Sequence, residues 1–203
     1  RCLELVDAGF ITLDEPLSQY LPDLRRYDLK ASERQLTVRQ LLSHETFLPA
    51  VEPLYTLGQD PETLRAYILQ RDWPKGAAVY SDINFILLGL LIERITGQPL
   101  REQNVAKGLS FAPPVDQSVS TEYCPWRNRL MRGEVHDENA FALGGAAGHA
   151  GLFGTIDGVL DHAYRILNDE GLSSEMMGEM LRPHANNRTL GWEINHEGWH
   201  GGE

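Results

Sequence analysis

The stretch Ile83 to Ile95, INFILLGLLIERI, constrains the fold more than any other part of the chain. Apolar residues occupy nearly every side of its helical wheel, and charge enters only at Glu93 and Arg94. A helix of this kind has to be covered on several sides by the rest of the chain. Asp82 or Ile83 opens it, Thr96 ends it, Gly97 supplies a left-handed cap and Pro99 stops any continuation. Its longest apolar run, Phe85 to Ile92 with Gly89 counted in, falls far short of the roughly 20 residues that span a bilayer, so no transmembrane segment is predicted. Directly before it stand Tyr80, Ser81 and Asp82. Three polar side chains at the mouth of the most buried element call for a reason.

Enough apolar material surrounds this helix to build a core, because 42% of the 203 residues are hydrophobic. The formal charge of -11 offers a phosphate backbone net repulsion and no basic stripe, which argues against a nucleic-acid partner. Cys2 and Cys124 are too few for a disulfide framework and fit no metal-binding spacing.

Local signals place the other elements. Leu3, Leu5 and Val6 form the stripe of an opening helix that ends at Gly9. Ile11 to Leu24 carries Pro16 and Pro22 and reads as a surface-hugging connection with apolar anchors. Thr37 and Gln40 form a capping box before a short helix from Val38 to about Ser43. Asp60, Pro61 and Glu62 open a helix through Gln70. Gln98 to Arg132 is expected to be loops. Thr155 caps a helix through about Asn168, and Ser173 or Ser174 opens another through Leu181. Thr189 to Ile194, TLGWEI, is the best strand candidate, and NHEGWHGGE after it reads as a Gly-rich turn. The coarse reading is mostly helical.

The chemistry is sparse. Seven histidines invite a metal reading, yet no His-Glu-x-x-His occurs, and His136-Asp137 lacks a second histidine at helical spacing. No metal or other cofactor is expected; a metal hydrolase built on His136, Asp137 and His149 is the reading that elemental zinc analysis would decide. The glycines at 144, 145, 148 and 151 are followed by no Lys-Ser/Thr and read as a tight turn rather than a phosphate cradle. No serine has a lysine three positions on, and no Gly-x-Ser-x-Gly elbow exists. Tyr80 leaves two readings open: a ring packed on the core with Asp82 merely capping the helix, which spacing alone favours, or a phenol held rigidly at an opening.

The order of several segments then bears on the question. LVDAGFITLDEPLSQYLP, TVRQLLSHETFLPA, VYSDINFILLGLLIERITGQPL, GEVHDENAFALGGAAGHAGLFGT and LGWEI together resemble the serine β-lactamase-related family: class C β-lactamases, low-molecular-weight penicillin-binding proteins and their esterase relatives. The resemblance runs through nearly the whole chain. It implies three motifs converging on one cleft: Ser-x-x-Lys, Tyr-x-Asn, and Lys-Thr-Gly or His-Thr-Gly on an edge strand. Tyr80, Ser81 and Asp82 match the second, with Asp in place of Asn.

The resemblance further implies acyl transfer, in which serine attacks an amide, ester or lactam carbonyl and water or an amine resolves the acyl-enzyme. Tyr80 would be the catalytic general base, and Asp82 would sit at the substrate-binding position. An ionised carboxylate cannot donate a hydrogen bond, so this exchange favours pairing with the family's lysine over recognition of a lactam side-chain amide. Glu45, Thr46 and Phe47 stand where the family usually reads Thr-Ser-Gly, and the connection between Pro99 and Phe111 is short. The nucleophile is expected roughly ten residues before Arg1, about two and a half helical turns, and the third motif shortly after Glu203. Residues 1–203 would then be one partial β-lactamase/transpeptidase-like domain, the mainly α helical subdomain of an α+β fold with few strands. The expected partner is a small-molecule or peptide substrate. Any signal peptide would precede Arg1, so cytoplasm and cell envelope both stay open. The alternative is a non-catalytic, penicillin-binding-protein-like binding module.

Overall fold

The computed structural model describes residues 1–58 and 60–194. Helix α1 (Cys2–Asp7) ends where Gly9 takes φ +75 and turns the chain back. The next segment is anchored more deeply than a surface connection, because Ile11, Leu13, Leu17, Leu21 and Leu24 are all buried in the core. Helix α2 (Val38–Leu42) has the full capping box: the Thr37 hydroxyl accepts from the Gln40 amide at 3.2 Å, and the Gln40 side chain accepts from the Thr37 amide at 3.0 Å. Helix α3 (Pro61–Gln70) is capped by Asp60, whose carboxylate accepts from the Thr63 amide at 2.9 Å.

Helix α4 (Asp82–Thr96) runs through the core against α2, with Ile83, Ile86, Leu87, Leu88, Leu91 and Ile92 buried and Gly97 closing it at φ +69. The expectation that Asp82 caps it is corrected. Ser81 occupies the capping position, and neither side chain caps the helix, because the Ser81 hydroxyl donates to the Pro49 carbonyl at 2.6 Å instead.

The span expected to be loops contains three short strands, β1 (Leu109–Ser110), β2 (Ser120–Cys124) and β3 (Arg129–Arg132). After α5 (Glu138–Ala142), strand β4 (Phe153–Gly154) pairs antiparallel with β1, Leu109 opposite Gly154. Strands β2 and β3 form a separate hairpin with Cys124 opposite Arg129. Helices α6 (Ile156–Leu167) and α7 (Ser174–Leu181) start at Thr155 and Ser173, whose hydroxyls accept from Gly158 and Met176.

TLGWEI is not a strand. Gly191 at φ +88 reverses it, and the Thr189 amide donates to the Trp192 carbonyl at 2.9 Å, so the segment pairs with itself as a tight turn. The Gly-rich run expected after it, from Asn195, lies outside the described residues.

Bonds of long sequence separation tie the two ends of the fold together. The Ser173 amide donates to Asp7 at 2.7 Å, Arg39 reaches Glu179 at 2.8 Å, and the Gly191 amide donates to the Leu42 carbonyl at 3.0 Å. One element faces the other way. Helix α6 turns Ile156, Val159, Leu160, Tyr164 and Leu167 to solvent, five apolar side chains on one helical face.

Candidate active site

The turn that leaves α2 builds the floor of the site. His44 follows it at φ +57, a left-handed conformation that few side chains adopt without support. Its support is a buried polar network. His44 Nδ1 accepts from the Ser81 amide at 3.0 Å and lies 3.1 Å from the Asn84 side-chain amide, whose carbonyl accepts from the Thr46 hydroxyl at 2.7 Å. Burial, reinforced by the nearby Arg188 charge, pushes the His44 imidazole down to about 4, so it stands neutral with Nδ1 as acceptor. Phe47 stands where the resemblance expects glycine, and the left-handed residue of this turn is His44 instead.

Tyr80 sits on that floor. It belongs to the extended segment before α4 rather than to the helix, and it is 60% exposed. Its ring meets the His44 ring at 4.5 Å between centroids, tilted by 37°, and the Arg188 guanidinium at 4.9 Å from its centroid. His44 in turn stacks on Phe85 at 5.0 Å. Beside this stack opens a cavity of about 290 Å³ lined by Tyr80, Asp82, Phe85, His149, Arg188 and Trp192 among others. A wider groove of about 950 Å³ shares Phe85, His149 and Trp192 and runs on past Arg1 and Phe111.

Asp82 is half-buried and interacts electrostatically with His149 and Asp137. Burial raises its carboxyl above the ordinary carboxylate range, the Asp137 charge adds to that, and His149 opposes it. Asp137 caps α5 by accepting from the Ala140 amide at 2.7 Å, and His149 Nε2 lies 3.0 Å from the same oxygen. Burial alone would raise Asp137, but the His149 and Ala140 hydrogen bonds, with the charges of His149 and His136, hold it below the ordinary range. His149 is fixed to α4 by its neighbour: a Cβ on Gly148 would collide with the Phe85 carbonyl oxygen, so only glycine allows this approach.

The sequence-derived candidates therefore meet. Tyr80, Asp82 and His149 line one cavity, Asp137 stands behind His149, and His136 is exposed at the side. Among the described residues no cluster of three or more His, Cys, Asp or Glu side chains is arranged to hold a metal ion. Cys2 is no nucleophile, because burial pushes its thiol up to about 12. Two site residues escaped sequence reasoning. His44 follows a helix end, where a polar residue in a left-handed turn is a readable signal. Arg188 follows the pair Asn186-Asn187, both left-handed at φ +57 and +55, which marks a turn but not what the turn presents.

A family model described as Beta-lactamase matches residues 2–202. The N-acetylmuramyl-L-alanine amidase of Bacillus subtilis strain 168 is 30% identical over 194 residues, covering 75% of this chain and 43% of that protein. An Escherichia coli K12 protein, provisionally named a D-alanyl-D-alanine carboxypeptidase, is 26% identical over 95% of this chain and 55% of its own length. The chain thus spans about half the length of the curated relatives it matches. Among solved structures, a β-lactamase from Sulfitobacter sp. EE-36 superposes with a TM-score of 0.68 at 19% identity, covering 95% of this chain and 55% of that one. The β-lactamase/D-alanine carboxypeptidase of Pseudomonas syringae gives 0.66 at 14% identity, covering 94% and 56%. The backbone, rich in helix and poor in strand, accordingly follows the β-lactamase/transpeptidase fold. With the family match running almost from end to end, this chain belongs to the β-lactamase family.

Proposed function

We propose that the chain is the tyrosine-bearing part of a serine hydrolase that forms an acyl-enzyme on an amide, ester or lactam carbonyl. Tyr80 acts as the general base and Asp82 contacts the substrate. One observation carries this reading: Tyr80 is open to a cavity, yet its ring makes close contacts with both His44 and Arg188. A base has to be reachable by the proton it takes and fixed in position, and this residue meets both needs. Arg188 also brings a permanent positive charge to the cavity, suited to an anionic substrate group or a developing oxyanion. The names of the relatives, an N-acetylmuramyl-L-alanine amidase and a D-alanyl-D-alanine carboxypeptidase, favour an amide carbonyl of a peptide-like substrate.

In this proposal residues 1–203 form one partial domain, the helical subdomain, and the serine nucleophile comes from a Ser-x-x-Lys segment outside them. The absence of lysine three positions after any serine supports that, as does the apolar face that α6 turns to solvent, a face suited to cover by further structure. The test uses the full-length protein. Tyr80→Phe is expected to slow acylation by a fluorescent penicillin or a fluorophosphonate about 10²–10⁴-fold with unfolding unchanged. An unchanged rate removes Tyr80 from the mechanism. A parent protein that is never acylated leaves the non-catalytic binding module instead.

A further inference from the structure

The turn of residues 184–192 brings Arg188 and Trp192 to the Tyr80 cavity. Its later end is fastened by backbone bonds, from the Leu190 amide to the Met180 carbonyl at 3.1 Å and from the Gly191 amide to the Leu42 carbonyl at 3.0 Å. Its earlier end is fastened to a side chain, that of Glu45. Oε1 of Glu45 accepts from the Ala185 amide at 3.2 Å, while Oε2 accepts from the Ser43 hydroxyl at 2.8 Å and lies 3.1 Å from His184 Nδ1. Burial alone would raise the Glu45 carboxyl, but the bonds from Ser43, Ala185 and His184 hold it below the ordinary carboxylate range. It is therefore an ionised acceptor, and Nδ1 carries the hydrogen of the His184 contact.

Arg188 hangs on the two residues that Glu45 grips. The His184 amide donates to the Arg188 carbonyl at 2.6 Å, and the Arg188 amide donates to the Ala185 carbonyl at 3.3 Å. Between them Asn186 and Asn187 are both left-handed, a backbone conformation that persists only where its surroundings support it. On its other side Glu45 is tied to Ser43, the neighbour of His44. Both groups that touch the Tyr80 ring, His44 and Arg188, are thus connected through one carboxylate that does not itself line the cavity. Glu45 stands where the resemblance expects threonine, whose shorter side chain carries a single oxygen.

We propose that Glu45 is a positioning residue of the Tyr80 site: it clasps the turn at His184 and Ala185 against Ser43 and thereby sets where the Arg188 guanidinium meets the Tyr80 ring. Without the clasp, the bonds at Leu190 and Gly191 still fasten the turn to the body of the protein, but Arg188 swings away from Tyr80. The effect on catalysis rests on the hydrolase reading; the effect on Arg188 and Tyr80 does not.

The experiment compares the full-length protein with Glu45→Ala and with Glu45→Gln, which keeps the length of the side chain and an oxygen for the Ala185 amide. In Glu45→Ala the Ala185 and Arg188 amides are expected to exchange with solvent at least about tenfold faster, as the loss of a charge-assisted hydrogen bond implies, while the Gly191 amide keeps its rate. Nuclear Overhauser contacts between the Tyr80 ring and the Arg188 side chain weaken in the same variant and return in Glu45→Gln. Contacts that persist in Glu45→Ala overturn the proposal. So does a Gly191 amide that speeds up as much as that of Arg188, which would make Glu45 a support of the whole turn. If Glu45→Ala does not fold, Ser43→Ala, which removes only the anchoring hydroxyl, has to weaken the same contacts, and unchanged contacts there overturn the proposal equally. In acylation by a fluorescent penicillin, Glu45→Ala is expected to slow the parent about tenfold and to have no further effect in Arg188→Ala, because a residue acting through another is not additive with it. Full additivity overturns the positioning role. A parent protein that is never acylated removes the hydrolase reading, and the exchange rates and Tyr80 contacts still decide the clasp.

Discussion

His44 shows how much one side chain does here. It adopts φ +57, packs at a tilt against Tyr80, stacks on Phe85, and accepts from the Ser81 amide. Its neutrality has a thermodynamic signature. The unfolded chain takes up a proton near 6.5 and the folded one only near 4, so between those values the unfolded state binds more protons. Stability from this residue is whole above about pH 6.5 and is lost as pH falls toward 4, by on the order of 2–3 kcal/mol. Asp82, whose carboxyl is raised, acts in the opposite direction, so the comparison has to be made between variants. Urea unfolding of parent and His44→Asn across this range is expected to show a steeper loss in the parent; equal slopes would remove the buried histidine as the cause. Asparagine is chosen because it tolerates the left-handed backbone. At this scale sequence reasoning reached Tyr80 and Asp82 through the order of the surrounding segments, but not their holders. Arg188 meets Tyr80 only after the chain has come back from more than a hundred residues away, a contact no local pattern encodes.

At the level of elements, legibility followed locality. Pro61 and Asp60, Thr37 with Gln40, Thr155, Ser173 and Gly97 act on groups within four positions of themselves, and each helix limit they suggested is where the structure has it. The β2–β3 hairpin was missed because all but two of its nine residues, Cys124 and Met131, are exposed, which leaves no apolar alternation to read. TLGWEI was misread because alternation alone does not show that Gly191 turns left-handed. The cap and the glycine contact both yield measurable expectations. Thr37→Ala is expected to cost about 1 kcal/mol, read from the urea midpoint at unchanged m-value, and a loss near zero would show that the box adds nothing. Gly148→Ala has to displace the Phe85 carbonyl, and a loss of about 2 kcal/mol or more is expected, together with altered NMR shifts at Asp82. A Gly148→Ala protein as stable as the parent would mean that the loop moves freely over α4.

For the molecule as a whole, helicity was legible and orientation was not. The periodicity of Ile156–Leu167 specifies an amphipathic helix, but which side of it meets the core depends on everything else in the fold. Its five outward apolar residues form a patch of the kind that binds partners or dyes. The isolated chain is therefore expected to bind anilinonaphthalene sulfonate and to associate at high concentration. Leu160→Lys with Leu167→Lys should reduce both and leave thermal unfolding of the isolated chain within about 0.5 kcal/mol, as exposed positions do. Undiminished dye binding would place the patch elsewhere. The bonds joining the two ends of the fold bear on how the protein is made. Arg39 and Asp7 find Glu179 and Ser173 across 140 and 166 positions. A ribosome working from the amino terminus releases the first of each pair long before its mate exists. Loops of that length close late, so the segments around Asp7 and Arg39 are left without these partners, and within reach of chaperones and proteases, until α7 has cleared the exit tunnel.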